Sequence, residues 1–333
     1  MICSDKTWKL LILSKLKGVG PKALCELADI PNFDNFDIND ISYNHKKLDA
    51  LIGKNSSLLI EAEEKAQQDV DQADQTGSRI ISIMDEEFPS LLRVCDDKPA
   101  ILYVKGNWHQ KPDQSVAIIG TREPTEHGKI ITERISEYFI ESDWSIVSGL
   151  AIGCDTIAHR TSVNNNGHTV AVLSHGLQTI APKQNKELAH EILDKGGILI
   201  TEYKYGVEAR PHQFVQRDRI QAALSKGVVM IQSDIKGGSM HASRATLKYG
   251  RILAVPHPTN IDINMLEPKI QANLLLSGNN FEEKMQLLGC TIRDLENIFI
   301  VRNKEDYSHL LDRLSKNFTD NAVIKNGQQT FNL

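Results

Sequence analysis

The 333-residue chain is long enough for one large or two ordinary domains, each with its own core. A hydrophobic share of 41%, a charged share of 24% and no apolar run near 18 residues fit a soluble globular protein and exclude a membrane-spanning helix. The net charge of −5 argues against a uniformly basic nucleic-acid binder. Five scattered cysteines without a C-x-x-C pair exclude a zinc ribbon or disulfide framework and point to the cytoplasm.

The N-terminus, MICSDKTWKLLILSKLKG, has an apolar patch but no basic start and no small-residue cleavage site, so it does not read as a signal peptide. Residues 5 to 30 predict two short helices around KGVGPKAL. Residues 46 to 76 read as helix with a break near Asn55 to Ser57, and the stretch EAEEKAQQDVDQADQ within it is acidic and lacks large apolar residues. A strand is expected at 78–85, SRIISIMD. A linker with Pro89, Pro99 and Pro112 follows, carrying one short strand at 101–105. From residue 115 short apolar runs (VAII, SIV, HTVAVL, GILIT, GVVMI, RILAV) alternate with helical stretches. Such strands are buried on both faces of a doubly wound α/β sheet of mostly parallel strands. Helices are expected at 264–277 and 280–288. The polar tail NFTDNAVIKNGQQTFNL matches no element.

In such a sheet, ligands bind where strands feed into helices. The first of these turns, GTREPTEHG (120–128), raises a question. A dinucleotide fingerprint is G-x-G-x-x-G, yet Gly120 is followed by Thr121 and Arg122. The loops SGLAIGCD (148–155) and GGSMHA (237–242) place small residues at helix starts, suited either to anion binding or to plain capping. Residues 201–260 hold nine Lys or Arg against four acids, so a basic face is compatible with the acidic total. Arg122, Arg210, Arg217 and Arg219 lie on the loops, offering guanidiniums to phosphates or, around Asp218, to ion pairs. Phe214 would either stack on a base or plug its loop onto the body. Asp155 and His159, one helical turn apart, read as a capping pair. Glu202, His241 and His257 form no Ser-His-Asp or metal-ligand spacing, and no P-loop is present. No catalytic residue, metal or cofactor is expected.

Residues 78 to 258 resemble the DNA-processing protein A family (DprA, also called Smf). VAIIGTREPTEHG resembles its G-[ST]-R turn, and VSGLAIGCDTIAH is similar to S-G-x-A-x-G-[IV]-D-x-x-A-H. QFVQRDRIQAALS resembles F-x-x-R-N-R-x-x-x-x-L-S, and GGSMHASRATLKYGRILAVP is close to the S-G-[ST] loop and the strand beyond it. The resemblance implies a Rossmann-like domain over 78–260, a small helical domain over 1–77 and a helical extension over 261–333. It implies single-stranded DNA binding in natural transformation or recombination, assistance to the RecA recombinase, a homodimer and no membrane contact. Carried over, Arg122 is the turn arginine on DNA, Phe214 the stacking aromatic, and Arg217 and Arg219 the paired arginines. Gly238 with Ser239 form the S-G-[ST] loop, and Arg210 supplies basic charge ahead of the aromatic. The turn Gly18-Val19-Gly20 resembles a helix-hairpin-helix, in which Gly18, Gly20 and Lys22, aided by Lys15 and Lys17, would meet phosphates.

Departures mark a divergent member. Asp218 replaces the middle Asn of R-N-R, Gly237 the Ser of S-G-[ST], Thr201 a Ser, and His257 a Gly, and no winged helix is recognisable after residue 290. The alternative reading is a nucleotide-binding sensor or nucleotide-processing enzyme of related fold, in defence signalling, with GGSMHA and Glu202 serving a nucleoside phosphate. The P-G-G-x-G-T-x-x-E signature of the lysine-decarboxylase-like phosphoribohydrolases is absent.

Overall fold

The apolar runs form the strands expected of them in the computed structural model, which describes residues 1–43, Leu48 and 57–327. The chain divides into two compact units. One comprises 1–106, 173–179 and 199–210, the other 107–172, 180–198 and 211–333.

The first unit opens with α1 (Asp5–Ser14), α2 (Pro21–Ala28), α3 (Ile38–Tyr43) and α4 (Ser57–Thr76). The expected break near Asn55 lies outside the described residues up to Ser57, where α4 begins. The acidic stretch folds as helix because Ala62, Ala66 and Ala73 recur on one face and let α1 approach closely, so small side chains replace bulky ones in this core. Asp69 lies on the same buried face. It pairs with Lys15 and accepts the Tyr103 hydroxyl at 2.5 Å. Lys15, expected near phosphates, is therefore a core ion pair, and burial lowers its pKa. Strand β1 (Arg79–Ser82), the short α5 (Ser90–Arg93) and β2 (Ile101–Gly106) complete the segment, with β1 antiparallel to β2 in the register Ile80↔Tyr103.

The second unit begins with β3 (Ser115–Ile119), α6 (Glu126–Glu141), β4 (Ser145–Ser148), α7 (Cys154–Asn164), β5 (Thr169–Val172) and α8 (Lys186–Asp194). The chain then enters β6 (Ile198–Thr201), of which residues 199–201 belong to the first unit. The second unit continues with α9 (Pro211–Ala223), β7 (Gly227–Met230), α10 (Ser239–Lys248) and β8 (Ile252–Pro256). Its strands order as β5-β4-β3-β7-β8, every pair parallel. The chain runs outward from β3 to β5 on one side and from β7 to β8 on the other. The switch point therefore falls between β3 and β7, where a crevice opens at the strands' carboxyl ends.

Beyond residue 258 the structure departs from a purely helical extension. Pro268 breaks the helix expected over 264–277 into α11 (Asn260–Asn264) and α12 (Gln271–Ser277), because the ring disfavours helix at the residue before it. After α13 (Phe281–Leu288), the run IFIV forms β9 (Ile298–Val301), a parallel partner of β8 in the register Ala254↔Phe299. The polar tail continues as α14 (Asp306–Gly327), whose Tyr307, Leu310 and Leu314 join the core around Val116 and Ile252. The last six residues lie outside the described ones. Among the described residues, no helix is long and apolar enough to cross a membrane.

Asn273 on α12 ties this extension to the crevice. It is 1% exposed; its Nδ2 donates to the carbonyls of Ile231 at 2.8 Å and Pro256 at 3.1 Å, and its Oδ1 accepts from Ser233 N at 3.0 Å. Asn273→Ala strands these buried groups, so urea denaturation is expected to show a loss of about 1–3 kcal/mol. An unchanged midpoint would show that the strand ends hold themselves.

Candidate nucleic-acid interface

A cleft of about 490 Å³ occupies the crevice, lined by Ile119 to Arg122 at the end of β3, by Ser233, Asp234 and Gly237 to Ser239 after β7 and by the first turns of α9. That volume lies in the range of small-ligand sites. Arg122 is exposed, and its guanidinium sits 5.6 Å from the ring centroid of half-buried Phe214, a cation–π geometry. Among the described residues it makes no hydrogen bond or ion pair. Charge and ring are thus presented together at the cleft.

The local sequence explains why an arginine stands in a nucleotide-like turn. Thr121 N donates to Gln232 O at 2.8 Å, and Thr121 O accepts from Cys154 N at 3.2 Å, so the turn closes onto the start of α7. Gly153 has φ +84, and a Cβ there would lie 2.4 Å from Thr121 O and 2.6 Å from Arg122 Cα; only glycine admits this contact. The helix after β3 is already capped. Thr125 Oγ1 accepts from Gly128 N at 3.1 Å, while Thr125 N donates to the Gln232 side chain at 3.0 Å. Asp262 completes the network, accepting from Thr259 Oγ1 at 2.9 Å and Thr125 Oγ1 at 3.3 Å. The seat of a dinucleotide pyrophosphate is filled by protein groups, and the turn projects Arg122 instead.

Arg217 takes a different position. It is 3% exposed, and a Cβ added to Gly149 would fall 1.3 Å from its Nη1, so the guanidinium rests on bare backbone. Its Nη1 lies 3.9 Å from Asp155 Oδ2 and 3.6 Å from Asp218 Oδ1. Asp155 Oδ2 also accepts from Gly149 N at 3.0 Å and Ala151 N at 3.4 Å. In SGLAIGCD, therefore, the anion held by the loop amides is the protein's own carboxylate. Asn185 fixes the same loop by donating to Leu150 O and Thr156 Oγ1, both at 2.8 Å. His159 is fully buried against Thr169 Oγ1 at 2.7 Å, and burial, helped by the Arg217 charge, pushes its pKa down to about 3. Burial lifts the Asp155 carboxyl above its usual range and Asp218 to about 7, against the pull of Arg217 in both cases. Burial raises the Cys154 thiol to about 12, leaving it protonated and inert.

Five of the residues singled out from sequence thus line one cleft: Arg122, Phe214, Arg217, Gly238 and Ser239. Arg219 is half-buried on α9, its Nη1 donating to Gln216 O at 3.4 Å, and is not among the lining residues. Arg210 is exposed just ahead of α9 and belongs to the other unit. Also in that unit, Gly18 has φ +90, Gly20 precedes α2 without a side-chain cap, and Lys17 and Lys22 are exposed, as a phosphate-facing hairpin requires. Sequence reasoning missed Lys269, which reaches the cleft wall from beyond β8 and pairs with Glu123 at 3.4 Å. It also missed Gln221, one turn beyond the arginines. Neither carries a motif signal.

Comparison with known proteins covers most of the chain. Residues 79–278 match the family model described as DNA recombination-mediator protein A. A protein Smf of Synechocystis is 30% identical over 75% of this chain and 65% of its own length, and the DNA processing protein DprA of Bacillus subtilis is 34% identical over 54% and 61%. The chain thus spans somewhat under two thirds of these curated relatives. Among solved structures, DprA of Streptococcus pneumoniae has the same fold, with a TM-score of 0.69 and 23% identity over 90% of this chain and 96% of that one. DprA of Helicobacter pylori, whose structure concerns a single-stranded DNA binding mode, is 28% identical with a TM-score of 0.55, covering 70% and 94%.

The raised Asp218 pKa has a stability consequence. Between the ordinary value of 3.8 and about 7, the unfolded chain ionises Asp218 and the fold does not, so stability falls as pH rises through this window and the penalty is constant above it. Asp218→Asn removes the penalty. Its melting temperature is expected to match wild type near pH ~4 and to exceed it by at least about 2 °C near pH ~8. A difference that stays flat across that range contradicts the assignment.

Proposed function

The chain belongs to the DNA recombination-mediator protein A family, and on that footing we propose that the cleft binds single-stranded DNA. The observation that carries the reading is Arg122 poised over Phe214, a cation for a phosphate beside a ring for a base, on an open cleft. Gly238 and Ser239 support it by opening α10 toward the same space without a side-chain cap, where the helix dipole favours an anion. Arg217 serves from beneath, holding the floor rather than reaching a phosphate. Arg219 adds charge on the same helix in this proposal, and Arg210 and the Gly18–Lys22 hairpin are proposed as separate DNA contacts of the other unit.

Binding without turnover is the chemistry this supports, because two of the candidate acid–base residues are engaged in structure. Asp155 caps loop amides, and His159 is buried neutral. Protection of a strand during DNA uptake or recombination in the cytoplasm, its transfer to a RecA recombinase and homodimer formation follow from the family and form part of the same proposal.

The test is fluorescence anisotropy of an oligothymidylate across a salt series. Arg122→Ala is expected to weaken binding about tenfold or more and to reduce the log–log salt slope by about 0.7, the loss of one neutralised phosphate. Phe214→Ala is expected to cost about 1–3 kcal/mol with the salt slope unchanged. If neither substitution matters, the strand lies elsewhere. A wild-type protein that ignores DNA at low salt overturns the proposal.

A further inference from the structure

Phosphate contact and stacking leave several buried polar atoms of the cleft without a partner. Gln221 is 2% exposed and lines the cleft, yet its Oε1 has no hydrogen-bond partner. Its Nε2 donates to Asp218 Oδ1 at 3.0 Å, and because a carboxylate only accepts, this contact fixes which way the amide points. Asp218 Oδ2 has no hydrogen-bond partner among the described residues. Behind them, the buried Arg217 Nε and Nη1 make no hydrogen bond, and Nη1 faces Asp155 and Asp218 only at ion-pair distance. Phe214, Asp218 and Gln221 fall at i, i+4 and i+7 of α9 and so share one helix face. A ring is followed along that face by two acceptors, the Gln221 oxygen buried and without a hydrogen-bond partner. Unsatisfied buried groups are costly, and a ligand that satisfies them recovers the cost.

Resting on the single-stranded DNA reading above, we propose that the cleft reads the base it stacks and selects guanine. Guanine alone among the four bases offers two adjacent donors, N1–H and N2–H₂, on the edge that also bears the O6 acceptor. Asp218 and Gln221 accept from the two donors, with the Arg217 charge beneath them. Thymine offers one N–H between two carbonyls. Adenine and cytosine offer one amino group beside ring acceptors. Each leaves an acceptor of the cleft facing an acceptor of the base. The same edge occurs in a free guanine nucleotide, so the experiment separates the two sources.

Anisotropy is measured at about pH 8, where Asp218 is ionised, with an oligothymidylate carrying one central dG, dA, dC or deoxyinosine, and with free dGMP as competitor. The dG strand is expected to bind about tenfold tighter than plain thymidylate, as a good bidentate base contact gives. Deoxyinosine, which lacks only the N2 amine, is expected to lose most of that gain. It needs no protein variant. Asp218→Asn, checked for folding by its thermal melt, is expected to bring the dG-to-thymidylate ratio within about twofold. Equal binding of the dG, deoxyinosine and thymidylate strands overturns guanine selection and leaves single-stranded DNA binding standing. Failure of every strand to bind overturns both. Saturable dGMP binding without any strand binding overturns the DNA source and assigns the guanine edge to a nucleotide.

Discussion

The buried guanidinium of Arg217 is the constraint around which the second unit's loops are arranged. A charge 3% exposed loses most of its hydration, a loss that pairing alone rarely recovers in full. Here two carboxylates face it, Asp155 at 3.9 Å and Asp218 at 3.6 Å, and neither is a close hydrogen-bonded pair. Burying that charge imposes local requirements on its neighbours. Gly149 must lack a side chain, Asp155 must be held by the amides of its own loop, and Asn185 must brace that loop from the far side. His159, beneath the same charge, must stay neutral. One arginine thus fixes the residues after β4 and the face of α9 together.

That arrangement divides labour between two cations close in space. Arg217 spends its charge inside the protein, against acids supplied by the fold. Arg122 is exposed and rests only on the Phe214 ring. A cation–π contact at an exposed site is worth about 0.5–1 kcal/mol, enough to bias a rotamer and too little to compete with a phosphate. The rigid turn beneath Arg122, closed by Gly153 and the Thr125–Gln232–Asp262 network, presents the charge without neutralising it. This separation explains why a G-T-R turn works where a dinucleotide fold would place a second glycine.

Much of this was legible in the sequence, for identifiable reasons. Parallel strands buried on both faces announce themselves as unbroken apolar runs, so β3 to β8 stood where VAII through RILAV placed them. Arg122 was legible because it sits on a strand-to-helix loop, and Phe214, Gly238 and Ser239 because they fall where such loops enter helices, which topology brings to one end of a parallel sheet. The hidden features depended on partners distant in sequence. β9 is half-exposed and comes after a polar segment, so only its pairing with β8 identifies it. The Ala62, Ala66 and Ala73 face carries little hydrophobic signal, because its contribution is close approach rather than bulk. Lys15 read as a phosphate ligand beside a glycine turn, since nothing local reveals Asp69 fifty-four residues away. Whether an arginine is turned inward or outward is a property of its acids, and sequence spacing does not carry it.

The electrostatics bear on an apparent contradiction between a chain of net charge −5 and the nucleic-acid ligand proposed for it. Net charge governs the far field, which salt screens within about 10 Å at 0.1 M. Inside the cleft the sum is local. Arg217 offsets one acid, and the Asp218 carboxyl, titrating near 7, withholds part of a second negative charge at neutral pH. Lys269 is matched by Glu123, whose side chain is 78% exposed, and such a surface pair is worth at most about 1 kcal/mol. A phosphate arriving beside Arg122 can displace Glu123 at little cost and gain Lys269 as a second cation. In the proposed binding mode the cleft gains Lys269 as a second cation when a phosphate displaces Glu123, which is how an acidic chain can hold an anion there.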